Sequence, residues 1–156
     1  YACILAQNLL IRRCTADWIT STAMDIVAPK KEYLDSFISK ADKNTFYSVS
    51  RRDVEYSELE KMGFENWKEF RDKMDTTVSP RHFPARVTPN DNYSLINCCG
   101  DFQLAHKNVW NEIRGFEEEM IYACFVDTNI QKKAILNGFG LKALFSPPLF
   151  HIAGPG

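Results

Sequence analysis

The chain has 156 residues, a formal net charge of −1 at pH 7, and a composition that is 45% hydrophobic and 25% charged. A nearly neutral chain has no general attraction to nucleic acid or anionic lipid, so we expect neither a nucleic-acid partner nor a membrane-surface protein. No apolar run approaches the roughly 20 residues of a membrane span. Length and composition are those of one globular domain, which we expect to cover residues 1–156.

The cysteines and the first residues indicate the compartment and the extent of the chain. The five cysteines contain no Cys-x-x-Cys pair, which disfavours a zinc ribbon. We interpret them as buried free thiols in a reducing compartment, the cytoplasm, or the host cytoplasm if the source is viral. The chain begins with Tyr1, and residues 1–14 lack the pattern of a signal peptide. We therefore expect the first elements of the domain to precede Tyr1.

The first half of the chain alternates helical and extended patterns. Residues 2–14 have apolar side chains at helical spacing, and Arg12 and Arg13 stand at the C-terminal end, where cations favour the helix dipole. After a turn, residues 18–24 predict a short buried strand that ends at Asp25. Further elements predicted in this half are a helix over 30–41 begun by Pro29, a strand over 46–54, and helices over 56–62 and 65–74.

The second half begins with a long irregular segment, residues 76–93, that holds three prolines. A loop of that length is typical of a segment that closes over a ligand. Alternating strands and helices predict an α/β fold with a mixed, mostly parallel sheet flanked by helices. The predicted elements are strands over 94–99 and 102–105, a helix over 107–114 ended by Gly115, a helix over 127–137 followed by Gly138, and a strand over 141–145.

Asp25 and His151 are candidate metal ligands. Open α/β sheets bind ligands at the carboxyl ends of their strands, and a carboxylate there suits Mg²⁺ or Mn²⁺. The alternative for Asp25 is a turn or helix-capping role. His151 is either a core histidine or a metal ligand, the latter if the last strand returns to Asp25. His82 and His106 have no partner in the sequence, and we predict them to be surface residues.

Asp127 is a candidate general base. It begins a predicted helix, where an acid is favoured by the dipole alone. The preceding Phe125 and Val126 instead indicate a partly buried strand or turn, in which a carboxylate can act as a base. Gly100 permits close approach to a ligand and Asp101 can accept hydrogen bonds from hydroxyl groups, although the pair also suits a plain turn.

The candidates occur in an order that resembles one enzyme family. Residues 8–19 resemble the N-x-G-I-R-x-A-x-G-x-x-I segment that precedes the metal-binding acid in nucleotide-sugar glycosyltransferases of the GT-A fold, and residues 22–26 fall where those enzymes carry D-x-D. Residues 100–129 resemble their G-(G/D)-F-x-(L/M) … R-G-F … E-D-x-D segment. Residues 148–152 are similar to the closing strand whose histidine completes the metal site.

The resemblance implies a galactosyltransferase-like, inverting enzyme that moves a sugar from a nucleotide diphosphate sugar, with a UDP-sugar favoured, to a hydroxyl of a glycan or glycoprotein. It implies that Asp25 and His151 hold Mn²⁺ or Mg²⁺ and that Asp127 is the base. The donor-binding residues that it implies are Asn8, Arg12, Arg13 and Ala23, and the acceptor-binding residues are Gly100 and Asp101.

The sequence departs from the family pattern at two acids. Ala23 replaces the first acid of D-x-D, and Val126 replaces the Glu before the base. The strand that normally opens this fold and binds the uracil or guanine of the donor is also missing from the sequence. The missing first acid of D-x-D favours an alternative, a non-catalytic sugar- or protein-binding module on the same scaffold. The lack of G-x-S-x-G disfavours an unrelated α/β-hydrolase.

Overall fold

A computed structural model describes residues 2–77, 100–120 and 125–153. Most of the predicted 76–93 loop, the predicted strand over 94–99, and His82 lie outside these ranges. The described helices are α1 (Ala2–Arg13), α2 (Lys31–Ile38), α3 (Tyr56–Met62), α4 (Trp67–Thr77), α5 (Lys107–Glu112) and α6 (Val126–Leu136). The described strands are β1 (Trp18–Thr22), β2 (Ile26–Val27), β3 (Thr45–Glu55), β4 (Phe102–His106) and β5 (Gly140–Ala153).

The predicted helices and strands that fall on described residues are confirmed, except for the length of the last strand. β5 continues to Ala153 because its ladder with β3 resumes after an interruption. Leu144 pairs with Val49 before the interruption, and Leu149 pairs with Arg51 after it. The Pro147-Pro148 pair, whose residues have no N–H to donate, lies between these two paired stretches.

The described strands form one mixed sheet in the order β1-β4-β3-β5-β2. β3 and β5 are parallel, whereas β1–β4, β3–β4 and β2–β5 are antiparallel. The fold is therefore mixed α/β, but the prediction of a mostly parallel sheet is wrong. Alternation of strands and helices determines only the order of elements, and a connection long enough to hold helices can return a strand in either direction.

The two faces of the sheet are covered differently. One face packs under α1, α5 and α6 around Phe46 and Trp110, whose side chains are fully buried and whose ring centroids lie 5.2 Å apart. The Trp110 Nε1–H donates to the carbonyl of Ile19 at 3.0 Å and so satisfies a buried polar group. On the opposite face, α2 places Leu34 and Phe37 over a second apolar cluster.

A third apolar cluster supports the extended ends of β3 and β5. Leu59 of α3 and Phe70 of α4 pack with Val54 of β3 and Phe150 of β5, and all four are buried. Phe150 precedes His151. This cluster therefore fixes the backbone that presents the histidine to the surface.

Two general expectations concern the whole chain. None of the described helices has both the length and the apolar character needed to cross a bilayer. Cys14 is a free thiol, as predicted, but it is half-buried and not fully buried. The side chains of the other cysteines lie outside the described part of the structure.

Candidate functional site

The loop between β1 and β2 carries Asp25 and is anchored at both ends. The N–H of Ala23 donates to the carbonyl of Asp101 at 3.1 Å, just before β4 begins. The carbonyl of Asp25 accepts from the N–H of Ile152 at 2.9 Å, near the end of β5. The loop is therefore tied to both segments that carry other candidate residues.

Asp25 and His151 form a direct side-chain contact. His151 Nε2 lies 3.1 Å from Asp25 Oδ2, although 126 positions separate the residues in sequence. The contact exists because β5 returns along β2, which places His151 opposite Ile26. The aspartate and histidine side chains are 52% and 18% exposed, so His151 is a partly exposed residue and not a core histidine.

The chemistry of this pair fits a divalent cation with mixed ligand preference. A carboxylate oxygen and an imidazole nitrogen are both common ligands of Mn²⁺, whereas Mg²⁺ prefers oxygen alone. Within the described ranges, no group of three or more His, Cys, Asp or Glu side chains is positioned to hold a metal. Asp25 and His151 can thus provide two ligands to a cation. Their role as metal ligands stays a prediction.

Asp127 is held at the start of α6 by hydrogen bonds to both carboxylate oxygens. The N–H of Gly100 donates to Oδ2 at 3.1 Å, and the N–H of Thr128 donates to Oδ1 at 2.9 Å. Gln103 Nε2 donates to the Asp127 carbonyl at 3.4 Å. Each carboxylate oxygen can accept a further hydrogen bond. The side chain is therefore fixed in position but retains the capacity to accept a proton.

Gly100 is required by its contact with Asp127. A Cβ atom added at Gly100 would lie 2.2 Å from the Cβ of Asp127, far inside van der Waals contact. The absence of a side chain at Gly100 therefore allows the start of α6 to approach the turn before β4 closely. Asp101 follows and is partly exposed. The acceptor-binding roles of Gly100 and Asp101 stay predictions.

Candidate residues from four distant segments thus meet at one end of the sheet. The contacts join Asp127 to the turn before β4, that turn to the β1–β2 loop, and the loop to β5. We call this cluster the acidic end; its side chains are Asp25, Asp101, Asp127 and His151. The Asp25–His151 pair offers two ligands to a cation, and the carboxylates of Asp101 and Asp127 can accept hydrogen bonds from hydroxyl groups.

Arg12 and Arg13 lie elsewhere. They end α1, and the chain then enters β1 at Trp18, the end of that strand away from Asp25. Arg12 Nη2 forms an ion pair with Glu118 Oε1 at 2.8 Å. The hydrogen bond from Asn8 and the nearby charge of Arg12 lower the pKa of the Glu118 carboxyl. The structure does not bring the two arginines to the acidic end, and their donor-binding role stays a prediction.

The side chain of Asn8 forms hydrogen bonds with the Arg-Gly-Phe turn after α5. Its side chain is 1% exposed; Nδ2 donates to the Phe116 carbonyl at 2.9 Å, and Oδ1 accepts from the Phe116 N–H at 2.8 Å. Gly115 has a φ of +65°, and a Cβ there would meet Asn8 Oδ1 at 2.3 Å. These contacts explain the Arg-Gly-Phe pattern structurally, and a donor-binding role for Asn8 stays a prediction.

Two side chains are placed differently from the sequence-based prediction. His106, predicted at the surface, is 7% exposed because β4 is buried along its whole length; its Nδ1 accepts from the Asn108 N–H at 3.3 Å. Phe125, predicted within a partly buried strand or turn, is 74% exposed and has a φ of +67°. No local signal reveals this exposure, since an aromatic residue beside Val126 favours burial.

Comparison with known proteins does not add to this geometry. No protein-family model matches the chain, and no curated protein sequence matches it either. The described residues thus form a mixed α/β protein whose candidate functional site is the acidic end.

Proposed function

We propose that this chain is a metal-dependent, inverting glycosyltransferase that uses a nucleotide diphosphate sugar, with a UDP-sugar favoured, and a glycan or glycoprotein acceptor. One observation carries the proposal, the convergence of Asp25, Asp101, Asp127 and His151 at a single end of the sheet. The order of motifs that resembles GT-A glycosyltransferases also supports it.

On the donor side, Asp25 and His151 would hold Mn²⁺ or Mg²⁺. A cation bound there would neutralise the charge that develops on the leaving diphosphate. Because Ala23 replaces the first acid of the family motif, Asp25 is the one carboxylate that the loop offers. Nucleotide binding should therefore depend strongly on this single side chain.

On the acceptor side, Asp127 removes the proton of the attacking hydroxyl. The acceptor oxygen forms a bond to the anomeric carbon while the bond from that carbon to the diphosphate breaks, and the proton moves to the Asp127 carboxylate. The hydrogen bonds from Gly100 and Thr128 orient the carboxylate in advance, which lowers the entropy lost in reaching the transition state. Asp101 accepts a hydrogen bond from a second acceptor hydroxyl.

The second candidate is a non-catalytic sugar- or protein-binding module on the same scaffold. Ala23, where the family carries an acid, favours this alternative. Both candidates bind a ligand, but only the first hydrolyses a nucleotide sugar or transfers the sugar from it. Turnover therefore separates them.

Thermal unfolding with UDP or GDP and Mn²⁺ tests the donor site. A ligand at 100 times its Kd adds about 2.7 kcal/mol of stability, which raises the Tm of a domain of this size by roughly 5–10 °C. We expect Asp25→Asn and His151→Gln to abolish the Mn²⁺-dependent shift. Asp35→Asn is the matched control, since Asp35 on α2 is also an exposed aspartate, at 59%.

Turnover of the nucleotide sugar tests the base. Asp127→Asn should lower the rate of sugar transfer, or the slower rate of donor hydrolysis, by about 100-fold or more. The Tm shift caused by the nucleotide should remain. If neither nucleotide shifts the Tm of the unmodified protein, the transferase proposal is wrong. A nucleotide shift without any turnover would instead support the binding module.

A further inference from the structure

Phe125 is exposed and has an unfavourable backbone conformation. Its side chain is 74% exposed, and its φ of +67° and ψ of +11° lie in the left-handed region that residues with a Cβ rarely adopt. Among the described residues, Phe125 belongs to none of the three apolar clusters. Packing among the described residues therefore does not account for an aromatic residue at this position.

The residue stands at the rim of the acidic end. Phe125 immediately precedes α6, two residues before Asp127, whose carboxylate accepts the N–H of Gly100. A second large apolar side chain, Met24, is completely exposed beside Asp25 in the β1–β2 loop. An exposed apolar side chain thus stands two residues before Asp127 in the sequence, and another directly before Asp25. Strained non-glycine residues are often found at ligand-binding sites.

We propose that Phe125 is a platform on which the acceptor sugar stacks, and that the acceptor is a neutral pyranose. The proposal rests on the proposed function, because it assigns Phe125 to the acceptor side of the same site. The C–H face of a pyranose packs on an aromatic ring, while the hydroxyl groups at its edge donate to Asp101 and Asp127. Carboxylates at short range repel an anionic sugar, so a carboxylated acceptor is disfavoured.

Saturation-transfer NMR tests the proposal without requiring turnover. The probes are the methyl pyranosides of galactose, glucose, mannose and N-acetylglucosamine, with glucuronic acid as the anionic comparison, each with and without UDP and Mn²⁺. At least one neutral pyranoside should receive saturation from the unmodified protein and bind more tightly than glucuronic acid. Phe125→Gly should weaken that binding about five-fold, whereas Phe125→Trp should retain it.

Two controls separate loss of the ring from loss of the fold. Leu136→Ala removes another exposed apolar side chain, 84% exposed at the far end of α6, and should leave sugar binding unchanged. The Tm of Phe125→Gly should be no lower than that of the unmodified protein, because glycine adopts a φ of +67° without strain.

The inference is overturned if no neutral pyranoside binds, if Phe125→Gly binds as tightly as the unmodified protein, or if glucuronic acid is preferred. Phe125-dependent binding of a neutral sugar by a protein that neither binds UDP nor hydrolyses a UDP-sugar would support the platform and contradict the transferase. If Phe125→Gly leaves UDP-dependent turnover unchanged, the result would support the transferase and contradict the platform.

Discussion

The Asn8→Ala substitution removes a buried side chain that holds the turn after α5. Three hydrogen bonds of 2.8–2.9 Å disappear, two to the Phe116 backbone and one to the Glu118 carboxylate. Phe116 is 5% exposed, so its N–H and carbonyl would both lose their partner inside the protein. Each buried group left without a partner costs about 1–3 kcal/mol. Because some water enters the vacated space, we expect a total loss of about 3 kcal/mol.

Urea unfolding followed by tryptophan fluorescence measures this loss. In thermal unfolding, a loss of about 3 kcal/mol in the free energy of unfolding lowers the Tm of a domain of this size by roughly 6–12 °C. Asn137→Ala is the matched control, since the exposed Asn137 also donates from Nδ2 to a carbonyl, that of Lys133 at 2.8 Å. Water can replace that bond, so we expect the control to lose only about 0.5 kcal/mol.

A loss below about 1 kcal/mol for Asn8→Ala would refute the argument from buried hydrogen bonds. The variant also tests the donor-binding role that the sequence predicts for Asn8. If the folded variant keeps normal stability but no longer binds UDP, the side chain is a donor ligand and the structural explanation fails. If stability falls and nucleotide binding per folded molecule is unchanged, the structural explanation holds.

Gly100→Ala introduces a Cβ 2.2 Å from that of Asp127, so the start of α6 must shift; we expect a loss of about 2 kcal/mol and of transfer activity, and an unchanged urea midpoint would contradict this. The Asp42 carboxylate accepts from the N–H of Asn44 and the hydroxyl of Thr45, which lowers its pKa below the usual 3.8. A carboxyl group whose pKa is lowered by folding stabilises the folded state at pH values above its usual pKa. This stabilisation is lost as the pH falls through the folded-state pKa. Asp42→Asn should therefore be less stable than the unmodified protein at neutral pH, and this difference in urea unfolding should shrink as the pH falls below the usual carboxyl pKa of 3.8; a difference that stays constant over that range would count against it.

Much of the local structure could be predicted because its determinants are local. The helix stops at Gly115 and Gly138 depend on backbone freedom, and both glycines have positive φ values of 65° and 83°. The start of α2 follows Pro29, and the apolar spacing of residues 2–13 predicts α1. Each of these signals acts within a few residues, so neighbouring sequence contains the information.

Other features could not be predicted because they depend on contacts between distant segments. The sheet is mixed because β4 enters it antiparallel to both of its neighbours, a direction that no local pattern specifies. His106 is buried because β4 lies between two other strands of the sheet, and Phe125 is exposed directly before α6, a placement that no local pattern specifies. The resemblance grouped Asn8 with the donor site, whereas its partners lie 108 residues away in the turn after α5.

By itself, the sequence determined which residues form helices and strands and which side chains can perform acid–base or metal chemistry, because periodicity and residue type are properties of short segments. The tertiary structure alone decided which of those side chains meet. Asp25 and His151 are 126 positions apart and come within 3.1 Å only because β5 returns along β2. Asp127 reaches Gly100 only because no Cβ stands between them. Arg12 and Arg13 remain apart from the acidic end because α1 runs toward the other end of β1.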